Sequence, residues 1–516
     1  MTSAQRKITL YATVVFLSSA LLLVLEIVAA RLIAPYVGVS LYTWSAVIGI
    51  VLAGLSIGNA LGGAWADRHA TAGQAGGVLL AAGLSALAIP WLLWVTASAM
   101  EPYELSILST SMLFVLALFM LPALLIGIVT PLLTTLALAQ SRRTGHIVGM
   151  MHALGATGSI FGTFITAWWL IPLLGSRNVV LFTGLLLLLS GLLLLRPLTR
   201  GRHALAGAAS LLCAGGVAYG TLTNPALASS CDRESSFFCI RVIDEGQHPT
   251  LGRVRSLVLD HLLHGINVEN DGTYLEAPYV HLMQELVCRH HHDKSSLDAY
   301  FIGGGAYTQP RALWLSQRPT AITVAELDPV VTDVAREALF LNDSDMRVIH
   351  GDARIVLDRL DADERFDVIV GDAFHDVSVP YHLVTREFAR LLHDRLRDDG
   401  LYVLNLVDVF PNGRLAAAMV RTLRTEFAHV EVWLDQVPRD ATRVTYVISA
   451  SDVPTPVRGH DGSLSSAMQP RRQWTRVTQR IDTLLHDGSL SVPVLTDDNA
   501  PVEQLISALF TTGAGR

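Results

Sequence analysis

The chain has 516 residues, of which 51% are hydrophobic and 16% charged, with a mean hydropathy of +0.42. Soluble proteins carry about 25% charged residues, so an ordinary soluble multidomain protein is excluded. Residues 1–222 hold 14 of the 83 charged side chains, and residues 223–516 hold the other 69. The second half has 28 basic and 41 acidic residues, a net charge of −13, which argues against nucleic acid as a partner and suits a cationic ligand.

Residues 1–222 are predicted to form a membrane domain, with the lipid bilayer as its partner. Seven mostly apolar stretches, each of roughly 17 to 25 residues, are long enough to cross a hydrocarbon core about 30 Å thick. The first is long and carries Glu26, so we interpret it as a retained span rather than a signal peptide. The stretches are Ile8–Ala30, Tyr42–Trp65, Ala75–Val95, Met112–Leu136, Ile147–Leu170, Val179–Leu195 and Ala204–Leu222.

The Lys and Arg residues of the short loops predict the sidedness of this domain. Eight of them flank alternate span ends beginning with the N-terminus, whereas the opposite loops hold only Arg31 and Arg177. Because cytoplasmic loops are rich in Lys and Arg, the N-terminus is predicted inside. An odd number of spans then places everything after Leu222 outside the cytoplasm, in the periplasm or outside the cell. Cys231 and Cys239 lie close together in the sequence; a disulfide between them would fit that compartment, and two unpaired cysteines are the alternative.

Residues 223–516 alternate short apolar runs with amphipathic helices, which is typical of a parallel sheet covered by helices. Residues 223–295 are predicted to be a linker and a small β-rich segment, and residues 296–516 an α/β nucleoside-binding domain. The predicted strands of the second part are Leu297–Ile302, Ala321–Glu326, Met346–His350, Phe366–Gly371, Leu401–Leu406 and Val430–Leu434, with Arg443–Ser449 as a final antiparallel strand.

Glycines and acids stand where the predicted strands end, and ligands of open α/β sheets bind beyond those ends. The turn Gly303–Gly305 follows the first strand and lets the backbone approach a ligand closely. Glu326 ends the second strand, at a spacing suited to an acid that accepts both hydroxyl protons of a ribose. Asp352 follows the third strand and suits an exocyclic adenine amine, and Asp372 follows the fourth. Together these positions predict a nucleoside site.

The same residues carry a family resemblance. The strings FIGGGAYTQPRAL, VAELDP, HGDAR and DVIVGDAF, with ESSFFCIRV, VLDHLLHG and YLEAPYVH upstream and VLTDDNAPVE downstream, resemble the spermidine synthase (polyamine aminopropyltransferase) family. The resemblance covers most of residues 231 to 510, and the hydrophobic half is similar to the membrane-attached branch of that family. It implies an α/β Rossmann-like fold of the methyltransferase and spermidine synthase type behind a multi-span α-helical membrane domain.

The resemblance also implies a reaction and roles for single residues. The family transfers an aminopropyl group from decarboxylated S-adenosylmethionine to an amine such as putrescine and releases methylthioadenosine; no metal is expected, and relatives often form homodimers. By the resemblance, Asp372 orients the attacking amine and accepts its proton, and Tyr279 lines the amine site. The implied nucleoside contacts are Glu326 to the ribose, Asp352 with Ala353 to the adenine, Gly303, Gly304 and Gly305 to the nucleoside and thioether, and Pro380 in the loop over the adenine.

Departures from the family pattern fall on the half of the site that handles the amine. Ala306 stands where an acid is expected, and His375 stands where a second aspartate is expected. Val280 and His281 follow Tyr279 in place of Gln or His and then Glu, and Phe238 replaces a glutamine. His375 has two interpretations, a general acid or base near neutral pH or a surface loop histidine. We therefore predict catalytic roles for Asp372, His375 and Tyr279.

Three functions fit the sequence. The first is a membrane-bound aminopropyltransferase-like enzyme. The second is an extracytoplasmic enzyme on the same fold that performs acid–base chemistry on an envelope substrate without a nucleoside donor. The third is a transporter whose soluble domain senses a ligand.

Overall fold

The computed structural model describes residues 2–103, 105–195, 202–316, 320–342, 346–374, 378–456, 463–465 and 471–511, with the backbone alone at 202–206 and 463–465. The chain divides into two compact units, Met1–Cys239 and Ile240–Arg516. The first unit is helical and the second is an α/β unit with a small antiparallel sheet. The predicted fold class is thereby confirmed.

The first unit contains nine α-helices along its described residues. Its helices are α1 (Ser3–Val37), α2 (Leu41–Arg68), α3 (Ala72–Leu87), α4 (Ile89–Met100), α5 (Ile107–Leu138), α6 (Thr144–Ile165), α7 (Ile171–Leu174), α8 (Ser176–Leu195) and α9 (Arg202–Thr223), with a π-helical turn at Thr166–Leu170 between α6 and α7. Five stretches in the described part are long and apolar enough to cross a membrane: α1, α2, α5, Thr144–Leu174 and α8. The pair α3 and α4, bent by 48°, makes a sixth if it is one span. Helix α9 covers the seventh predicted span.

Close helix packing in this unit depends on small residues. Helix α2 packs along α5, and Gly54, Gly58 and Gly62, spaced four residues apart on α2, lie in that contact. A Cβ atom on Gly62 would lie 2.6 Å from the Ile128 carbonyl oxygen, and one on Gly58 would collide with the Leu124 carbonyl oxygen. Only glycine lets the two backbones approach this closely, so the glycine spacing is architectural.

The helical unit includes a segment beyond the predicted boundary at residue 222. Arg31, at the end of the first predicted span, donates from Nη1 to the Phe237 carbonyl at 2.7 Å and from Nη2 to the Ser235 carbonyl at 2.6 Å. The Glu234 carboxylate accepts from the backbone N–H of Ser176 at 2.9 Å and from its hydroxyl at 2.7 Å. A disulfide joins Cys231 and Cys239. These contacts explain why the division falls after Cys239.

The second unit is built on two sheets. The strands and helices in chain order are β1 (Arg233–Glu234, still in the first unit), β2 (Cys239–His248), β3 (Gly252–Leu259), β4 (Leu262–Val268), α10 (Pro278–His290), β5 (Leu297–Ile302), α11 (Thr308–Trp314), β6 (Thr320–Glu326), α12 (Pro329–Ala338), β7 (Met346–His350), α13 (Ala353–Arg359), β8 (Phe366–Gly371), α14 (Arg386–Arg395), β9 (Leu396–Phe410), α15 (Arg414–Leu423), β10 (His429–Leu434), β11 (Thr442–Ser451), β12 (Ser463–Ser465), β13 (Gln473–Arg476), α16 (Thr478–His486), α17 (Val502–Leu505) and α18 (Ser507–Thr511). Strands β2, β3 and β4 form an antiparallel meander.

The large sheet has the order β12-β13-β10-β11-β9-β8-β5-β6-β7. Strands β9, β8, β5, β6 and β7 are parallel, with fully buried central strands such as β8. Strand β11 is antiparallel to β9, as predicted, and β10 runs in the same direction as the parallel strands. The difference from the prediction is that β11 lies between β9 and β10. The connection from β10 to β11 is too short for the crossover that parallel neighbours require, so the two strands form a hairpin.

Candidate active site

The site lies at the point where the order of the parallel strands reverses. From β5 the chain moves outward through β6 and β7, then returns to place β8 and β9 on the other side of β5. The carboxyl ends of β5 and β8 are therefore neighbours that face a crevice, the usual ligand position in such sheets. Gly303 follows β5, Asp372 follows β8, and the Asp372 N–H donates to the Ile302 carbonyl at 3.1 Å. The structure thus brings two predicted site residues side by side.

The glycine turn after β5 is held by Glu326. Gly303 and Gly305 have φ of +91° and +50°, in the region that favours glycine. Glu326 Oε2 accepts the N–H groups of Gly304 at 2.7 Å and Gly305 at 3.1 Å, and Oε1 accepts the Asp328 N–H at 2.9 Å. Burial raises the pKa of Glu326, and these backbone donors oppose that rise. Each carboxylate oxygen has two lone pairs, so Oε2 is fully used and one acceptor position remains on Oε1 for a ligand hydroxyl.

A small cavity of about 20 Å³ adjoins the glycine turn. Strand β4 and the first residues of α11 form part of its wall, together with the glycine turn and the residue that follows β8. Its lining includes Gly303, Gly304, Asp372, Val280, His264 and Gln309. Asp372 is the carboxylate among these lining residues, so a cation in the cavity has one negative group to approach.

The Asp372 carboxyl group has an unusual environment. Burial raises its pKa to about 6, and a hydrogen bond from the Asn405 side chain opposes the rise. Asn405 lies on β9 and is 3% exposed. Tyr279, in the first turn of α10, has a pKa well above its usual value because of burial and, secondly, the negative charge of Asp372. The structure therefore places a neutral phenol in the field of a carboxylate that is mostly ionised at pH 7.

Asp352 and Ala353 follow β7, and Pro380 precedes the turn whose His382 contacts Asp352. Asp352 Oδ1 accepts the N–H groups of Arg354 at 3.0 Å and Ile355 at 3.1 Å, capping α13, and Oδ2 accepts from His382 Nε2 at 2.7 Å. Ala353 is buried, and its carbonyl accepts the Tyr300 hydroxyl at 2.8 Å. Pro380 is half-buried and precedes the 3₁₀ turn Tyr381–Leu383 that carries His382. Their predicted adenine contacts remain a prediction.

The histidines of the second unit have different placements. His375 lies outside the described residues. His281 is buried, with its ring centroid 5.3 Å from that of Trp474 in an edge contact. His290 Nε2 lies 3.0 Å from the Asp399 carbonyl oxygen, and His291 Nε2 lies 3.0 Å from the Asp367 carbonyl oxygen. These carbonyls are near the amino ends of β9 and β8, so the two histidines lie away from the crevice. Within the described ranges, no three His, Cys, Asp or Glu side chains gather as metal ligands.

Two polar residues of the site, Asn405 and Gln309, were not predicted. Asn405 interrupts an otherwise apolar strand, which was the available signal. His264 lines the cavity, and burial lowers its pKa to about 4, so its ring is neutral. Gln309 also lines the cavity and is 4% exposed; among the described residues, neither of its amide atoms has a hydrogen-bond partner. Such a buried amide costs stability unless a ligand or water pairs with it.

Comparison with known proteins gives a consistent result. Residues 279–457 match the model of the spermine/spermidine synthase domain. A polyamine aminopropyltransferase of Vibrio vulnificus is 27% identical over 208 residues, which is 40% of this chain and 68% of that protein. A probable polyamine aminopropyl transferase of Bifidobacterium longum is 25% identical over 228 residues, and the match spans about half (48%) of its length. A probable spermidine synthase structure from Corynebacterium glutamicum aligns with a TM-score of 0.43 at 19% identity, covering 52% of this chain and 98% of that one. The domain match and the sequence relatives confirm the predicted resemblance and the predicted transferase class.

Proposed function

We propose that this chain, which carries a spermine/spermidine synthase domain over residues 279–457, transfers an aminopropyl group from decarboxylated S-adenosylmethionine to a small amine such as putrescine. The observation that carries the proposal is the position of Asp372. Its carboxylate lines the cavity beside the glycine turn, hydrogen bonds with Asn405, and lies close enough to Tyr279 to raise the pKa of that phenol.

The proposed chemistry assigns Asp372 as the base. The lone pair of a neutral amine attacks the carbon next to the sulfonium, a C–N bond forms, the C–S bond breaks, and methylthioadenosine leaves with the bonding electrons. The proton that the amine loses passes to Asp372. A base with a pKa near 6 is mostly ionised at pH 7 yet still basic enough to accept a proton. Tyr279 stays neutral and offers a hydroxyl that positions the amine without adding charge.

The proposed nucleoside site uses the neighbouring strand ends. Glu326 would hold the ribose by accepting one hydroxyl at the free position of Oε1 while it holds the glycine turn. The Gly303–Gly305 backbone would lie against the nucleoside and thioether. Asp352 and Ala353 would contact the adenine. Pro380 would cover it from the segment that precedes the His382 turn. These roles follow from the resemblance, and the hydrogen bonds of Glu326 and Asp352 support them.

We also propose that the helical unit crosses the bilayer and that residues after Leu222 lie outside the cytoplasm. The uneven distribution of Lys and Arg among the loops supports this placement. The disulfide between Cys231 and Cys239 gives independent support, because disulfides persist in oxidising compartments. The placement requires an odd number of crossings, which the seven predicted spans provide.

Binding of methylthioadenosine to the full-length protein tests the nucleoside site. We expect the wild type to bind and Glu326→Gln to bind at least about tenfold more weakly, because a charged acceptor of hydroxyl protons is lost. Glu364→Gln is the control, since Glu364 pairs with Arg347 at 2.8 Å and lies outside the cavity. Absence of wild-type binding at millimolar methylthioadenosine, measured by calorimetry, would refute the proposed function.

A further inference from the structure

The carboxylate assigned to the adenine is itself held by a histidine. His382 Nε2 donates to Asp352 Oδ2 at 2.7 Å, while Oδ1 is occupied by two backbone N–H groups of α13. We propose that His382 is a positioning residue that fixes Asp352 for recognition of a 6-aminopurine and excludes 6-oxopurines. This inference rests on the proposed function, because it assumes that Asp352 faces the base of a bound nucleoside.

The geometry restricts the rotation of the Asp352 carboxylate. The cap bonds at 3.0 and 3.1 Å hold one oxygen, and the His382 bond holds the other. A carboxylate oxygen has two lone pairs, so Oδ2 can accept a second proton while His382 occupies the first position. The side chain is 27% exposed, which leaves room for a ligand at that oxygen.

His382 is in turn fixed by main-chain and long-range contacts. Its carbonyl accepts Arg354 Nη1 at 2.9 Å. Arg354 binds both oxygens of Asp497 at 2.7 Å each, and the Thr385 hydroxyl donates to Asp497 Oδ1 at 2.7 Å. The Arg354 guanidinium lowers the pKa of Asp497 to about 2, so this ion pair persists across the neutral range. The imidazole therefore approaches Asp352 from an anchored turn, which is what a positioning group requires.

A fixed carboxylate that only accepts hydrogen bonds discriminates between purines by their edge. The 6-amino group of adenine donates to it, whereas the 6-oxo group of hypoxanthine presents lone pairs that the carboxylate repels. If Asp352 were free to rotate, it would reach the N1–H that 6-oxopurines carry and would accept from that group instead. Removing His382 should therefore reduce the preference for 6-aminopurines more than it weakens the binding of the preferred nucleoside.

The test compares methylthioadenosine with methylthioinosine, its 6-oxo analogue, by calorimetry on the full-length protein. We expect the wild type to prefer methylthioadenosine by at least about tenfold, the worth of one charge-assisted hydrogen bond. His382→Ala should lower this preference to less than about threefold, and His382→Gln, which keeps a donor, should retain most of it. His393→Ala is the matched control, because His393 pairs with Asp452 at 2.9 Å at a similar exposure.

Three results would overturn the inference. One is a wild type that binds both nucleosides with equal affinity, and another is His382→Ala with the full wild-type preference. The third is an equal loss of preference in His393→Ala. Failure of the wild type to bind methylthioadenosine at all would instead remove the proposed function, and the inference with it. If His382→Ala does not fold, as judged by thermal unfolding, the decision passes to His382→Gln, whose loss of preference would also overturn the inference.

Discussion

At the scale of single residues, the proposed function needs the negative charge of Asp372, but the buried environment of this carboxyl group disfavours that charge. Burial raises its pKa from 3.8 to about 6. A carboxyl group whose pKa is raised by folding stabilises the protein below its unfolded pKa, and this stabilisation is lost as the pH rises through the folded pKa. The proposed base needs the charged form, so catalysis uses the ionisation state that costs stability. Asp408, which caps α15, shows the same direction of shift.

Because catalysis needs ionised Asp372 and folding disfavours that ionisation, activity and stability should depend on pH in opposite ways. We expect kcat/KM for the amine to rise steeply up to about pH 6, where Asp372 ionises, and less steeply above it, where only the neutral fraction of the free amine still increases. Initial rates between pH 5 and 8 measure it. Thermal unfolding should show the reverse trend, and comparison with Asp372→Asn separates the contribution of Asp372 from that of Asp408. An acidic limb near pH 4 would contradict the proposed environment.

The residues that sequence reasoning found and missed differ in one physical respect. Glu326, Asp352 and Asp372 each stand at the end of an apolar run, so a local pattern marks them. The missed partners of these acids come from distant positions: His382 is 30 residues from Asp352, and Asn405, which hydrogen bonds with Asp372, lies on β9. Contacts of that separation leave no periodic signal in one sequence.

At the scale of elements, buried parallel strands were the most predictable part. Strands β5 and β8 have the predicted bounds, because a strand buried on both faces is a short continuous apolar run. The edge strand β7 also has the predicted bounds, although only Met346 in it is buried. The outer strands were harder. Strands β12 and β13 were not predicted, nor was the position of β11 between β9 and β10. Strands β12 and β13 are short, and β10 and β11 pair in a hairpin. The alternation of strands and helices that predicts a parallel sheet gives no signal for either feature.

The glycine turn gives a prediction at this scale. Gly303→Ala should destabilise the second unit by at least about 2 kcal/mol, because a non-glycine residue at positive φ costs about 1 to 2 kcal/mol and a Cβ atom would lie 2.6 Å from the Asp372 carbonyl oxygen. Gly488→Ala is the control: Gly488 also has positive φ, +76°, but a Cβ there would meet nothing within 4 Å. Unfolding free energies measure both variants. Equal destabilisation would show that the contact with Asp372 is unimportant.

At the scale of the whole molecule, the distribution of charge anticipated two units of different character. The predicted boundary at residue 222 lies before the observed division after Cys239, since Arg31 and Ser176 hold the segment that carries the disulfide. The Lys and Arg residues of the loops also predict that the second unit lies outside the cytoplasm. That sidedness bears directly on function, because a polyamine enzyme outside the cytoplasm needs a donor there.

Sidedness is testable through the disulfide. In a variant with Cys213 and Cys288 replaced by serine, a membrane-impermeant reductant followed by an impermeant maleimide should label Cys231 and Cys239 in intact cells. We expect labelling as complete as in opened cells. Labelling that appears only after the cells are opened would place the second unit in the cytoplasm.

The central claim is that Asp372 serves as the base for aminopropyl transfer. Its most direct test incubates the full-length protein with decarboxylated S-adenosylmethionine and putrescine, then quantifies methylthioadenosine and the aminopropylated amine by mass spectrometry. We expect equal amounts of the two products from the wild type. Asp372→Asn should react about 10² to 10⁴ times more slowly with methylthioadenosine affinity within about threefold of wild type, since only the proton acceptor is lost. A wild-type rate in Asp372→Asn, or no aminopropylated amine from the wild type, would contradict the claim.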